Sequence, residues 1–123
     1  MIEFKVCPNS WQPSLILEIV DSVLKSNFII KESYEIGLSF YNDGLHHVGF
    51  IIDNKYRLQF DYTRVMIKNF SRRQLFNYTE SFTTISYGQL VLIIALGIQF
   101  PLSIENYNTC TELVSRILYN LQN

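Results

Sequence analysis

The chain has 123 residues, of which 48% are hydrophobic, 15% aromatic and 17% charged, and its formal net charge is −1. That length points to one domain spanning residues 1–123, and the composition supplies a packed core and excludes a disordered chain. The charge provides neither the basic field that nucleic acid requires nor a polybasic patch for anionic lipid. Two cysteines, Cys7 and Cys110, do not make a disulfide framework, although one bridge between them is possible.

The start, MIEFKVCPNSW, has acidic Glu3 and no apolar h-region, so no signal peptide is expected and the chain reads as cytoplasmic, or as part of a virion or other assembly made in the cytoplasm. Residues 2–6 form a predicted strand that stops at Cys7-Pro8. Residues 9–27 have a helical pattern. Pro13 suits the first turn, Ile16, Ile19, Val20, Val23 and Leu24 share one face, and Ser14, Glu18, Asp21, Ser22 and Lys25 share the other. SNFIIKESYEIGLSFYNDG has strand-like residues without a settled pattern, and its NDG is a turn.

LHHVGFIID (45–53), YRLQFDY (56–62) and RVMIKNF (64–70) then predict three strands with tight connections, an antiparallel meander. SRRQL gives one helical turn, and Arg72-Arg73 reads as solvated. ISYGQLVLIIALG (85–97) predicts a helix. Ser86 and Gln89 have capping-box spacing, Gly97 reads as the stop signal, and an apolar character nearly all round predicts burial. Its apolar run, LVLIIALGI, is far short of the ~20 residues that span a bilayer, so no transmembrane segment is expected. FPLSIEN is a loop. The last helix begins near Cys110 and carries Leu113, Val114, Ile117, Leu118 and Leu121 on one stripe.

Thr109 and Glu112 form a second capping box around TCTE, which makes Cys110 the first helical residue. Free N–H groups and the positive end of the helix dipole favour a thiolate there, and the same N–H groups could hold an oxyanion. Cys110 equally reads as a small buried core residue. A thiolate works best beside an imidazole, and the only histidines, His46 and His47, head the first meander strand. Alternation puts His47, Gly49, Ile51 and Asp53 on one face, and Gly49 leaves room beside His47. On the next strand Gln59 and Asp61 share a face. Either could accept from the imidazole N–H and fix its tautomer, while a solvated strand face explains the same alternation. Adjacent histidines on a strand diverge and no cysteine or carboxylate lies at ligand spacing, so neither metal nor cofactor is expected.

Taken in order, HHVGFIID, LQFD, SYGQLVLIIALG and CTELV resemble the circularly permuted NlpC-like cysteine hydrolases of the YiiX type, within the papain-like superfamily. The resemblance covers roughly residues 45–118. It implies an α+β papain-like fold of the permuted NlpC type, with an antiparallel β-sheet packed against helices. HVG makes His47, not His46, the base, and CTELV makes Cys110 the nucleophile. Gln59 stands where the family usually has a glutamate, and Thr111 replaces the usual serine. The implied activity is hydrolysis of an amide, peptide, ester or thioester bond in a peptide, peptidoglycan or lipid-like acyl substrate. Such proteins occur in bacteria, phages and large DNA viruses, so a phage-encoded enzyme or part of a larger assembly is implied. Gln59 in place of glutamate also admits a rival: a catalytically weak or inactive structural or binding protein, such as a virion component or a host-factor binder.

Overall fold

The computed structural model describes residues 1–7, 12–41, 47–70, 77–78, 81–100, 102 and 109–122, with backbone alone for Tyr41, His47, Asn77, Tyr78 and Gln122. Among these the chain order is β1 (Ile2–Lys5), α1 (Pro13–Asn27), β2 (Ser33–Tyr41), β3 (His47–Ile52), β4 (Tyr56–Phe60), β5 (Arg64–Asn69), β6 (Asn77–Tyr78), β7 (Thr83–Ser86), α2 (Tyr87–Gln99) and α3 (Cys110–Gln122). The strands form one antiparallel sheet in the order β1-β5-β4-β3-β2-β6, and β7 pairs with β2 beside β6. The class is therefore α+β, an antiparallel sheet packed against helices.

Period-two alternation decides which side chains meet the helices. Phe4, Tyr34, Ile36, Phe50, Ile52, Leu58, Phe60, Val65, Ile67 and Ile85 point one way. They form a single cluster with Ile16, Val20 and Leu24 of α1, the buried side of α2, and Leu113, Val114 and Ile117 of α3. Of the five α1 residues predicted to face inward, Ile16, Val20 and Leu24 are fully buried, and Ile19 and Val23 flank them. The β3–β4 turn places Asp53 and Asn54 at φ 52° and 55°, closed by Lys55 N–H donating to the Ile52 carbonyl at 3.0 Å. Asp and Asn tolerate this left-handed region better than other side chains, which is why a hairpin turns here without glycine.

Helix α2 corrects one expectation and bears out another. Gly97 does not stop it: the helix runs to Gln99. A Cβ on Gly97 would lie 2.5 Å from two ring carbons of Phe60 and 3.0 Å from Val65, so this glycine lets the helix settle onto β4 and β5. The helix is largely buried, as expected, with Leu92 and Leu96 (52% and 44% exposed) on its outer side. Its start is as expected, with both bonds of the Ser86–Gln89 capping box formed. One residue in, Tyr87 Oη donates to Asp21 Oδ1 at 2.6 Å and ties α2 to α1. That bond, with Lys25 alongside, holds the Asp21 carboxyl below the usual carboxylate value, while burial and the same bond push the Tyr87 phenol well above its ordinary range. The turn predicted at 71–75 and Arg72-Arg73 lie outside the described residues. Among those described, no helix is long and apolar enough to cross a membrane.

Candidate functional site around Cys110 and Gly49

Helix α3 begins at Cys110. Thr109 caps it: Glu112 N–H donates to Thr109 Oγ1 at 3.3 Å, and Leu113 N–H to the Thr109 carbonyl at 3.1 Å. The Glu112 carboxylate accepts from Arg116 at 2.9 Å, one turn along the helix. The amides of Cys110 and Thr111 precede the first intrahelical bond, as at any helix start. Cys110 is half-buried, and both it and Cys7 are free thiols.

The sulfur sits at a defined place on the sheet. Asp53 N–H donates to the Glu35 carbonyl of β2, and the Ile52 carbonyl accepts across the turn leading to β4. Odd-numbered residues of β3 therefore direct their backbone groups to β2 and even-numbered ones to β4. The β3–β4 register runs from Ile52↔Tyr56 to Gly49↔Gln59. One residue past that last pair, Val48 N–H donates to Cys110 Sγ at 3.5 Å. A backbone N–H lies in the plane of the sheet, so the sulfur is at the rim between the two faces. Covalent geometry then puts it within about 6 Å of the His47 Cα.

The face turned away from the helices is also buried at its centre. Ser39 pairs with Gly49, Gly49 with Gln59, and Gln59 with Met66, which makes one straight row across four strands. Ser39 is 0% exposed, Gln59 8% and Met66 1%, and Ile51 and Arg57 in the next row are buried as well. This rules out the solvated-face explanation of the β4 pattern. Ser39 Oγ and Gln59 Oε1 are buried with no hydrogen-bond partner. Buried polar atoms of this kind are few in folded proteins and call for an explanation. Gly49 lies between them. A Cβ there would be 2.4 Å from the Leu58 carbonyl oxygen and 3.3 Å from Ser39 Oγ, so no other residue fits without moving β3 from β4.

The sequence-predicted residues are thus distributed as follows. Cys110 opens α3 and touches the backbone of β3. Gln59 is across from Gly49 and diagonal to His47, whose backbone heads β3. The His47 ring and all of His46 lie outside the described residues. Asp61 follows β4; its carboxylate accepts from Tyr62 N–H at 2.6 Å and its own N–H donates to the Arg64 carbonyl, so it belongs to the β4–β5 turn. The helical layer that carries Cys110 does not cover the face that carries Gln59. Leu113, Val114 and Ile117 pack on the Phe50–Phe60 face, and Gln59 opens on the other. Cys110 packs against the helix-covered core, and its sulfur reaches the Val48 N–H at the end of the β3–β4 ladder. Among the described residues, no cluster of three or more metal-ligating side chains occurs. Sequence reasoning missed Ser39, because the pattern of β2 did not reveal its register. No protein-family model matches the chain, and neither a curated protein nor a solved structure matches it.

Proposed function

We propose that the protein is a cysteine hydrolase of the permuted NlpC, papain-like type, with Cys110 as nucleophile, His47 as general base and Gln59 as the group that orients the imidazole. One observation carries the reading: Cys110 Sγ, at the first position of a capped helix, accepts the backbone N–H of Val48, the residue next to His47. In the reaction His47 takes the thiol proton and the sulfur bonds to the substrate carbonyl carbon. The carbonyl electron pair moves to oxygen, within reach of the Cys110 and Thr111 amides. Collapse expels the amine or alkoxide, which takes the proton from imidazolium. Water, deprotonated by His47, then cleaves the acyl-thioester and restores the thiol. Gln59 is favoured over Asp61 as the third member because its buried amide oxygen has no partner, whereas the Asp61 carboxylate already serves a turn.

The same neutral Gln59 supports a second reading, a binding or structural protein on this scaffold without turnover. One experiment separates the two. The folded protein is treated briefly with iodoacetamide near pH 7 and, in parallel, with p-nitrophenyl acetate, and both cysteines are followed by mass spectrometry. The hydrolase reading expects Cys110 to alkylate faster than Cys7, to carry a transient acetyl group, and to lose both reactions in His47→Ala but not in His46→Ala. Alkylation without acetyl turnover favours the binding protein. Labelling of Cys7 alone, with Cys110 silent, rejects a nucleophilic cysteine.

A further inference from the structure

Strand β1 ends the sheet. It pairs with β5 in a register that runs from Ile2↔Ile67 to Lys5↔Arg64. Val6 N–H continues the ladder, donating to the Thr63 carbonyl at 3.0 Å. In an antiparallel pair, residues whose backbone groups bond across alternate with residues whose groups point away. Ile2, Phe4 and Val6 therefore bond to β5, and the N–H and C=O of Glu3 and Lys5 face the outer edge. Among the described residues no strand takes them up. Cys7 N–H, next in that outer row, donates to the Ile98 carbonyl at 2.9 Å, so α2 closes the edge at that end. The side chains sort by face. Ile2 and Val6 are half-buried against the core, whereas Glu3 and Lys5 are exposed on the opposite face.

An exposed edge is a template for another strand, and proteins commonly guard it with charge. Here the guard has both signs, two residues apart on one face. A two-fold axis at Phe4 turns that arrangement into attraction. Antiparallel pairing of two β1 edges sets Glu3 of each copy against Lys5 of the other, and Ile2 against Val6. Each Glu3–Lys5 pair then exchanges N–H···O bonds in both directions, as the outward backbone groups require. Sliding the strands by two residues sets Glu3 against Glu3 or Lys5 against Lys5, and sliding by one sets outward groups opposite inward ones. Within its own chain Glu3 accepts from Arg64 at 2.6 Å, and a carboxylate has sites for a further donor. Lys5 stands opposite Arg64 in the ladder, a like-charge neighbour that a carboxylate from a second copy offsets. We propose that two copies of the chain associate through β1, joining their sheets edge to edge about a two-fold axis at Phe4. The proposal is independent of the chemistry at Cys110.

Sedimentation velocity of the whole protein over a wide concentration range tests it, with folding checked by circular dichroism. The wild type should move from a one-chain to a two-chain species as concentration rises, and high salt should weaken the association. Glu3→Lys and Lys5→Glu each put like charges together, and each should lose the two-chain species. The double variant, Glu3→Lys with Lys5→Glu, restores opposite pairs and should recover it, as should an equimolar mixture of the two single variants. Lys5→Pro removes an outward N–H that β5 does not use, so it should fold and stay a single chain. If it does not fold, the charge variants decide. A wild type that stays a single chain at every concentration overturns the proposal, and Glu3 and Lys5 then only guard the edge. A two-chain species that survives in folded Lys5→Pro or in the single charge variants, or that the double variant fails to recover, places the contact elsewhere and overturns it too.

Discussion

Gly97→Ala is a sharp test of how α2 is seated, because two effects of known size oppose each other. Alanine inside a helix gains about 1 kcal/mol over glycine. Against that, the new Cβ would stand 2.5 Å from Cδ1 and Cε1 of Phe60 and 3.0 Å from Val65 Cγ2. Carbon atoms prefer about 3.5–4.0 Å, so the ring must retreat by roughly 1 Å. It has little room to do so: Phe60 is fully buried and meets Phe50 edge-on, with ring centres 6.2 Å apart at 88°. Overpacking of this kind costs about 1–3 kcal/mol, and two ring atoms plus a methyl put this site in the upper half of that range. We therefore expect a net loss of about 1–2 kcal/mol. Gly88→Ala in the same helix is the control. Its Cβ would meet only Ser86 Oγ, at 3.8 Å, so that variant should be neutral or gain up to about 1 kcal/mol. Urea unfolding followed by far-UV circular dichroism measures both. If Gly97→Ala proves as stable as Gly88→Ala, α2 does not rest on Phe60 and the reason given for Gly97 is wrong.

Other outcomes follow from buried or coupled groups. Tyr87→Phe should destabilise the protein at neutral pH by cutting the tie to Asp21, and the difference from wild type should shrink at both ends of the pH scale. The Asp21 carboxyl is held below its usual 3.8, so its contribution is present above that value and is lost as pH falls through the folded value. The Tyr87 phenol is held above its usual 10.0, so its contribution is present below pH 10 and is lost as pH rises beyond it. Urea midpoints across pH 3–11 check both signs; a gap that stays constant refutes the coupling. Gln59→Glu should speed Cys110 alkylation below neutral pH by giving imidazolium a carboxylate partner, and should lower stability by about 1–3 kcal/mol because the site is buried. Asp61→Asn should leave alkylation unchanged, and a loss of reactivity there would make Asp61 the third member instead.

The parts of the fold that could be read from the sequence are those where local chemistry and tertiary need coincide. Pro13 at the first turn of α1, the Ser86–Gln89 box and the meander alternation each have one structural solution, and each appears where expected. β2 was hidden because its core-facing residues, Tyr34, Ile36 and half-buried Leu38, alternate with buried Gly37 and Ser39 and exposed Glu35, so no clean period-two contrast survives. Gly97 misled for a related reason. A glycine near a helix end is a stop signal only if the chain turns there, and close approach of another strand uses the same missing Cβ.

For the site, the spacing of the motifs identified residues but not the face they occupy. Alternation puts Gln59 in the same row as Gly49, and it is there. Amphipathicity puts Cys110 on the inward side of α3, and its sulfur does touch β3. What alternation cannot say is that the helical layer lies on the opposite face from Gln59, since both faces of β4 are buried and hydrophobic contrast no longer marks inside from outside. The contact between α3 and β3 combines side-chain packing on the Phe50 face with one backbone N–H, that of Val48, which reaches the Cys110 sulfur at the end of the ladder. The Val48 donor places the sulfur one peptide from the His47 backbone. The two motifs, far apart in the chain, therefore meet at a place defined by where the β3–β4 ladder stops.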